Sequence, residues 1–108
     1  MSLHIAWTPV ALQSLSDVLE YTFKEFGEHQ VRRLTNQIFK VTRRISAYPN
    51  LGTLDEECTE EFGVEYRSVK VISEISLMYT IVGETLFIEY VRNARLDDAT
   101  VWEKLSGL

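Results

Sequence analysis

The chain has 108 residues, 45% of them apolar and 25% charged, which fits one domain over residues 1–108 and excludes a disordered chain. Eleven basic and sixteen acidic residues leave a net charge of −5. That acidity argues against loose binding to nucleic acid, which needs a broad positive field, but leaves room for a local basic patch.

Leu3 to Trp7 reads as a short strand, with Ile5 and Trp7 on one parity. Thr8-Pro9 then starts a helix, because Thr8 can cap it and Pro9 lacks an N–H that the first turn would leave unpaired anyway. The helix runs to about Phe26, with Ala11, Leu12, Leu15, Val18, Leu19, Phe23 and Phe26 at spacings of three and four. Gly27 is a left-handed stop. A second helix spans about Glu28 to Ala47, with Val31, Leu34, Ile38, Val41 and Ile45 on its apolar side. Arg32, Arg33, Lys40, Arg43 and Arg44 decorate its outer side, which reads as a solvated face. The two helices form an antiparallel hairpin, ended by Tyr48-Pro49-Asn50-Leu51-Gly52.

Residues 52–63 read as a polar loop, crowded by Asp55, Glu56, Glu57, Glu60 and Glu61. Three strands follow, at about Val64–Ile72, Glu74–Val82 and Thr85–Arg92, with Gly83-Glu84 as a tight turn between the last two. Ile75, Leu77, Tyr79 and Ile81 share one face of the second strand, and Leu86, Ile88 and Tyr90 share one face of the third. Both faces are expected to lie under the helix pair. Asp97 or Asp98 can cap a last short helix through Leu105, with Val101, Trp102 and Leu105 apolar. The expected fold is α+β, ordered β-α-α-β-β-β with a short C-terminal helix. A helical hairpin packs on a small, mostly antiparallel sheet. The open edges of such a sheet offer a template for a homodimer or for another partner.

Cys58 is the only cysteine, so neither an internal disulfide nor a Cys-based metal site is available, and it reads as a bystander thiol in the polar loop. His4 and His29 are isolated and read as surface residues rather than ligands; no metal or cofactor is expected. The N-terminus lacks a basic start followed by an apolar run, and no stretch approaches the roughly 20 apolar residues that span a bilayer. A cytoplasmic protein is expected.

Five segments carry a resemblance along nearly the whole chain. They are Trp7-Thr8-Pro9 with Ala11 and Leu15; Tyr48-Pro49-x-Leu51-Gly52; Tyr66-Arg67-Ser68; Met78-Tyr79-x-Ile81; and Val91-x-x-x-Arg95-x-Asp97. In this order and spacing the chain resembles the RelE/ParE toxins, the toxic halves of bacterial type II toxin–antitoxin (plasmid stabilisation) pairs. The resemblance implies a toxin neutralised by a cognate antitoxin that wraps an extended or helical segment over it. It also implies one of two targets. RelE-like members cleave mRNA in the ribosome, whereas ParE-like members poison DNA gyrase and are not nucleases.

Metal-free RNA cleavage needs a base for the 2′-hydroxyl, cations for the phosphorane and an acid for the leaving oxygen. RelE-like enzymes resemble this scheme with Lys, Arg and Tyr. The candidates that the nuclease alternative would use are Arg67, Lys70, Arg92 and Arg95, with Tyr79 and Tyr90 as hydroxyl groups whose parity points them into the core. Each has a structural alternative. Arg67 can anchor the acidic loop or a helix end. Lys70 lies on the opposite face from Val69 and Val71 and can be a surface lysine, and Arg92 and Arg95 can pair with Asp97 and Asp98. The family's nucleases tend to carry extra lysines before or within the first hairpin strand, where this chain has five acids that would repel an RNA backbone. The ParE-like alternative asks only for a protein-binding surface, and the sequence leans to it. A third alternative is a degenerate, non-toxic partner of an antitoxin.

Overall fold

The computed structural model describes residues 2–95; the expected helix capped by Asp97 or Asp98 lies outside them. The element order is β1 (His4–Trp7), α1 (Pro9–Phe26), α2 (Glu28–Ala47), β2 (Thr53–Asp55), α3 (Glu56–Phe62), β3 (Tyr66–Ile72), β4 (Ile75–Val82) and β5 (Thr85–Asn93). The strands form one sheet in the order β1-β5-β4-β3-β2, with β1 parallel to β5 and every other pair antiparallel.

The helix ends follow their local chemistry. Thr8 Oγ1 accepts a hydrogen bond from the Ala11 amide at 3.1 Å, and Pro9 opens α1. Gly27, at φ +87°, is the single residue between α1 and α2, and its amide donates to the Phe23 carbonyl at 2.9 Å. A side chain there would meet no neighbour, so its requirement for glycine is one of backbone conformation.

The helical hairpin covers one face of the sheet. Ala11 and Val18 of α1 and Leu34, Ile38, Val41 and Ile45 of α2 pack on Val71, Ile75, Leu77, Tyr79, Leu86, Ile88 and Val91. Removing such apolar surface from water is the main stabilising term. Ser14 sits inside this layer without an unpaired hydroxyl. Its Oγ donates to the Ala11 carbonyl at 2.9 Å and accepts from the Val91 amide at 2.9 Å, tying α1 to β5.

Two expectations fail here for identifiable reasons. First, residues 52–63 are not a loop. They form edge strand β2 and helix α3, which packs on the other face of the sheet, where Cys58, Tyr66, Met78 and Tyr90 make a second core with Val10 and Phe62. Asp55 caps α3 by accepting from the Cys58 amide at 2.9 Å, Gly63 ends it in the left-handed region, and Glu56 and Glu57 sit in its first turn. Carboxylates there favour the helix through its dipole, so the acids support a helix instead of preventing one. Cys58 is therefore a core residue and not a loop thiol. Burial, with Asp55 and Glu57 nearby, pushes its thiol up to about 12.

Second, Tyr90 does not share a face with Leu86 and Ile88. Met78 pairs with Tyr90 while Tyr79 pairs with Ile88, which leaves Glu89 as an extra residue in a bulge. The bulge reverses the parity of β5, sending Tyr90 to the α3 side and Val91 under the helical hairpin. Ile81, also expected in the core, is 37% exposed beyond the reach of the helices.

Candidate partner-binding groove and the cationic residues

The apolar arc of α1 is wider than its contact with the sheet. Ala11, Ser14, Val18 and Thr22 face the core. Leu12, Leu15, Leu19 and Phe23 lie about a quarter-turn round the helix at 100° per residue, so they fall beside the core rather than over it. With Val31, Thr35, Ile38, Phe39 and Thr42 of α2 they line a groove along the hairpin, closed at one end by Trp7. It comprises two cavities of about 480 and 280 Å³ that share Leu12, Leu15 and Leu19. Leu12 is 53% exposed, Phe23 59% and Phe39 64%. Large side chains this exposed in one contiguous strip are what a partner-binding surface looks like before the partner arrives.

The sequence pattern had already marked Leu12 and Phe23 as part of the apolar stripe of α1, but as core. Phe39 had no such signal, because it sits outside the stripe of α2, next to Lys40. What identifies the groove is a mismatch: α1 carries more large apolar side chains than its sheet contact can hold, and Ser14 and Thr22 mark the true centre of its buried side.

The four cations singled out for RNA cleavage are divided between two faces and one corner. Arg67 pairs across the sheet with Tyr79, and its guanidinium is committed to structure. Nη1 donates to the carbonyls of Gly52 at 2.7 Å and Asn50 at 3.5 Å, and Nη2 lies 2.9 Å from Glu65. Tyr79 completes the lock. Its hydroxyl accepts from the Gly52 amide at 2.9 Å and donates to the Pro49 carbonyl at 2.7 Å. Gly52 itself has no room for a side chain, since a Cβ would stand 2.6 Å from Tyr79 Oη and 3.0 Å from the Ser68 carbonyl. The segment Tyr48 to Gly52, the residue Arg67 and the residue Tyr79 thus form one structural unit joining the end of α2 to the sheet. Burial raises the Tyr79 hydroxyl above the usual phenol range, partly opposed by the Gly52 amide and the Arg67 charge.

Lys70 and Arg92 both pair with Ser76 on the α3 side of the sheet. They are therefore two strand spacings apart, roughly 10 Å. Arg92 approaches Cys58, and this side also carries Glu89, which accepts from Thr80 Oγ1 at 2.7 Å, and the acids of α3. Arg95 lies at the end of β5, where Nη2 meets Glu74 at 2.9 Å and the side chain reaches Tyr21 of α1. Its expected pairing with Asp97 or Asp98 falls outside the described residues. Tyr90 is fully buried in the second core. Tyr66, beside it, has its hydroxyl pushed up to about 12 by burial and by the charge of Glu89.

Among the described residues, no group of three or more His, Cys, Asp or Glu side chains could hold a metal ion. No helix there is long and apolar enough to cross a membrane.

Comparison with known proteins agrees with this architecture. The family model described as ParE toxin of type II toxin-antitoxin system, parDE, matches residues 5–97. No curated protein matches the chain. Among solved structures, a chain of the chromosomal ParDE TA system from P. aeruginosa superposes with a TM-score of 0.67 at 14% identity, covering 85% of this chain and 96% of that one. At that identity the likeness is one of fold.

Proposed function

The chain belongs to the ParE toxin family of type II toxin–antitoxin systems, and on that premise we propose that it stops growth by binding DNA gyrase, not by cutting RNA. The observation that supports binding over cleavage is the division of the four cations. Arg67 already donates to backbone carbonyls and Glu65 on the face under the helical hairpin, Arg95 is held by Glu74 past the end of β5, and Lys70 and Arg92 are on the opposite face with their backbones roughly 10 Å apart. A phosphorane needs its cations within hydrogen-bond reach of one phosphate. With purified components, the chain should block supercoiling by gyrase and leave ribosome-bound mRNA intact. Cleaved mRNA with unaffected supercoiling would reverse the assignment.

The antitoxin is the partner this reading assigns to the groove between α1 and α2. The groove runs from Trp7 to Phe23, with exposed phenylalanines on both walls, and such a trough accepts the apolar face of an amphipathic helix through anchors at i, i+3, i+4 and i+7. A charge placed at Phe39, which is already mostly exposed, should spare the fold. Phe39→Glu should still arrest growth but no longer be rescued or captured by the cognate antitoxin. Full rescue of Phe39→Glu would move the antitoxin's seat elsewhere.

A further inference from the structure

The outer face of α2 concentrates positive charge in a chain of net −5. Over Glu28–Ala47 there are five bases, Arg32, Arg33, Lys40, Arg43 and Arg44, and one acid, Glu28. All five bases are exposed. At 100° per residue they fall within an arc of about 120° that is turned away from the sheet-facing side and borders the groove at Phe39, beside Arg32 and Arg43. Arg32 is paired with Glu28 at 2.8 Å; the other four have no carboxylate within 4.0 Å among the described residues.

A merely solvated helix face does not require this arrangement. Surface helices ordinarily intersperse the two signs, and opposite charges four apart add stability whereas like charges subtract it. Lys40 and Arg44 are such a like pair at i,i+4, and Lys40 and Arg43 face each other at i,i+3. α1 shows the ordinary arrangement, with Lys24 on Glu20 at 2.8 Å. The chain has sixteen acidic residues, yet α2 receives one. An array of negative charge lying against α2 relieves this self-repulsion.

We propose that this face of α2 seats the phosphate backbone of duplex DNA. From Arg32 to Arg44 the helix rises about 18 Å, a length along which a duplex presents phosphates on both strands at one charge per about 1.7 Å of axis. Arginine suits the role because its planar fork meets phosphate oxygens in pairs, and four of the five bases are arginine. Five long cations carry the contact to phosphate oxygens, with Asn36 and His29 exposed in the same arc. Arg33, Lys40 and Arg44 lie at least 100° round the helix from Phe39, so a partner seated in the groove leaves them accessible. The face is independent of which cellular target the chain strikes.

The experiment is fluorescence anisotropy of the full chain with a labelled 30-base-pair duplex of arbitrary sequence at 50, 100 and 200 mM salt. Four released counterions give a slope near −3.6 in log affinity against log salt, so affinity should fall about a hundredfold between 50 and 200 mM. The variant Arg33→Gln, Lys40→Gln, Arg43→Gln, Arg44→Gln keeps good helix formers at exposed positions, so it should melt no lower than wild type and lose the binding. A single Lys40→Gln change should lower the slope by about 0.9. No binding at 50 mM salt, or undiminished binding by the folded quadruple variant, overturns the proposal. Competition by poly-glutamate as strong as by unlabelled duplex overturns it too, and assigns the face to an acidic protein instead.

Discussion

Tyr79→Phe separates a structural tyrosine from a catalytic one. The substitution keeps the buried ring and removes only the hydroxyl that bridges the Gly52 amide and the Pro49 carbonyl. A neutral hydrogen bond contributes about 0.5–1.5 kcal/mol net, and a stranded buried donor costs toward 1–3 kcal/mol. Gly52 is buried, so its amide has no water to turn to, and the loss should be about 2 kcal/mol. In a domain of this size that lowers the melting temperature by roughly 8–16 °C. Urea unfolding and thermal melts followed by circular dichroism measure it directly, and growth arrest at 25 °C supplies the functional readout. The variant should be less stable yet still toxic in the cool. A loss below about 0.5 kcal/mol would refute the hydrogen-bond reasoning. Abolished toxicity in a variant as stable as wild type would mark the hydroxyl as an acid in a reaction.

Gly52→Ala drives a Cβ to 2.6 Å from Tyr79 Oη and 2.9 Å from its ring, so the ring must shift, at about 1–3 kcal/mol. Combined with Tyr79→Phe it should cost less than the two separate losses added, since both act on one contact; strict additivity in urea titrations would argue against a shared lock. Cys58 gives the pH dependence. The thiol titrates near 9.0 when unfolded and is held protonated up to about 12 when folded, so the native state binds the extra proton between those values. The Cys58 contribution is full below about pH 9 and is lost as pH rises toward 12; Tyr66, raised from 10.0 to about 12, adds its own loss only above pH 10, so Cys58→Ala should flatten the decline between pH 9 and 10 in thermal melts. An identical decline in wild type and variant would assign it to other groups.

Much of the fold was legible because the cues were local. Thr8-Pro9 and Gly27 set the ends of α1, Gly83 set the hairpin turn, and α2 matched its predicted range. What escaped depended on two competing effects. The acids of residues 55–61 read as repulsion, while the cap at Asp55, the i,i+4 pair Cys58 and Phe62 and the stop at Gly63 outweighed it to form α3. A one-residue bulge at Glu89 has no sequence signature, yet it alone sends Tyr90 to the opposite face. At the site level, Arg67 and Tyr79 were visible as motif residues, but their partners, the carbonyls of Pro49 and Gly52, are backbone groups that no side-chain pattern announces. The groove was half visible, since Leu12 and Phe23 belong to the stripe of α1, whereas Phe39 is recognisable only once the hairpin has closed.

The most direct measurement is inducible expression of the chain in a bacterium, with plasmid supercoiling and protein synthesis followed in the same culture. Binding to gyrase predicts early loss of supercoiling and a DNA-damage response while translation continues. Prompt translational arrest with cut mRNA and normal supercoiling would contradict it, and would return Lys70 and Arg92 on the α3 side of the sheet to the centre of the chemistry.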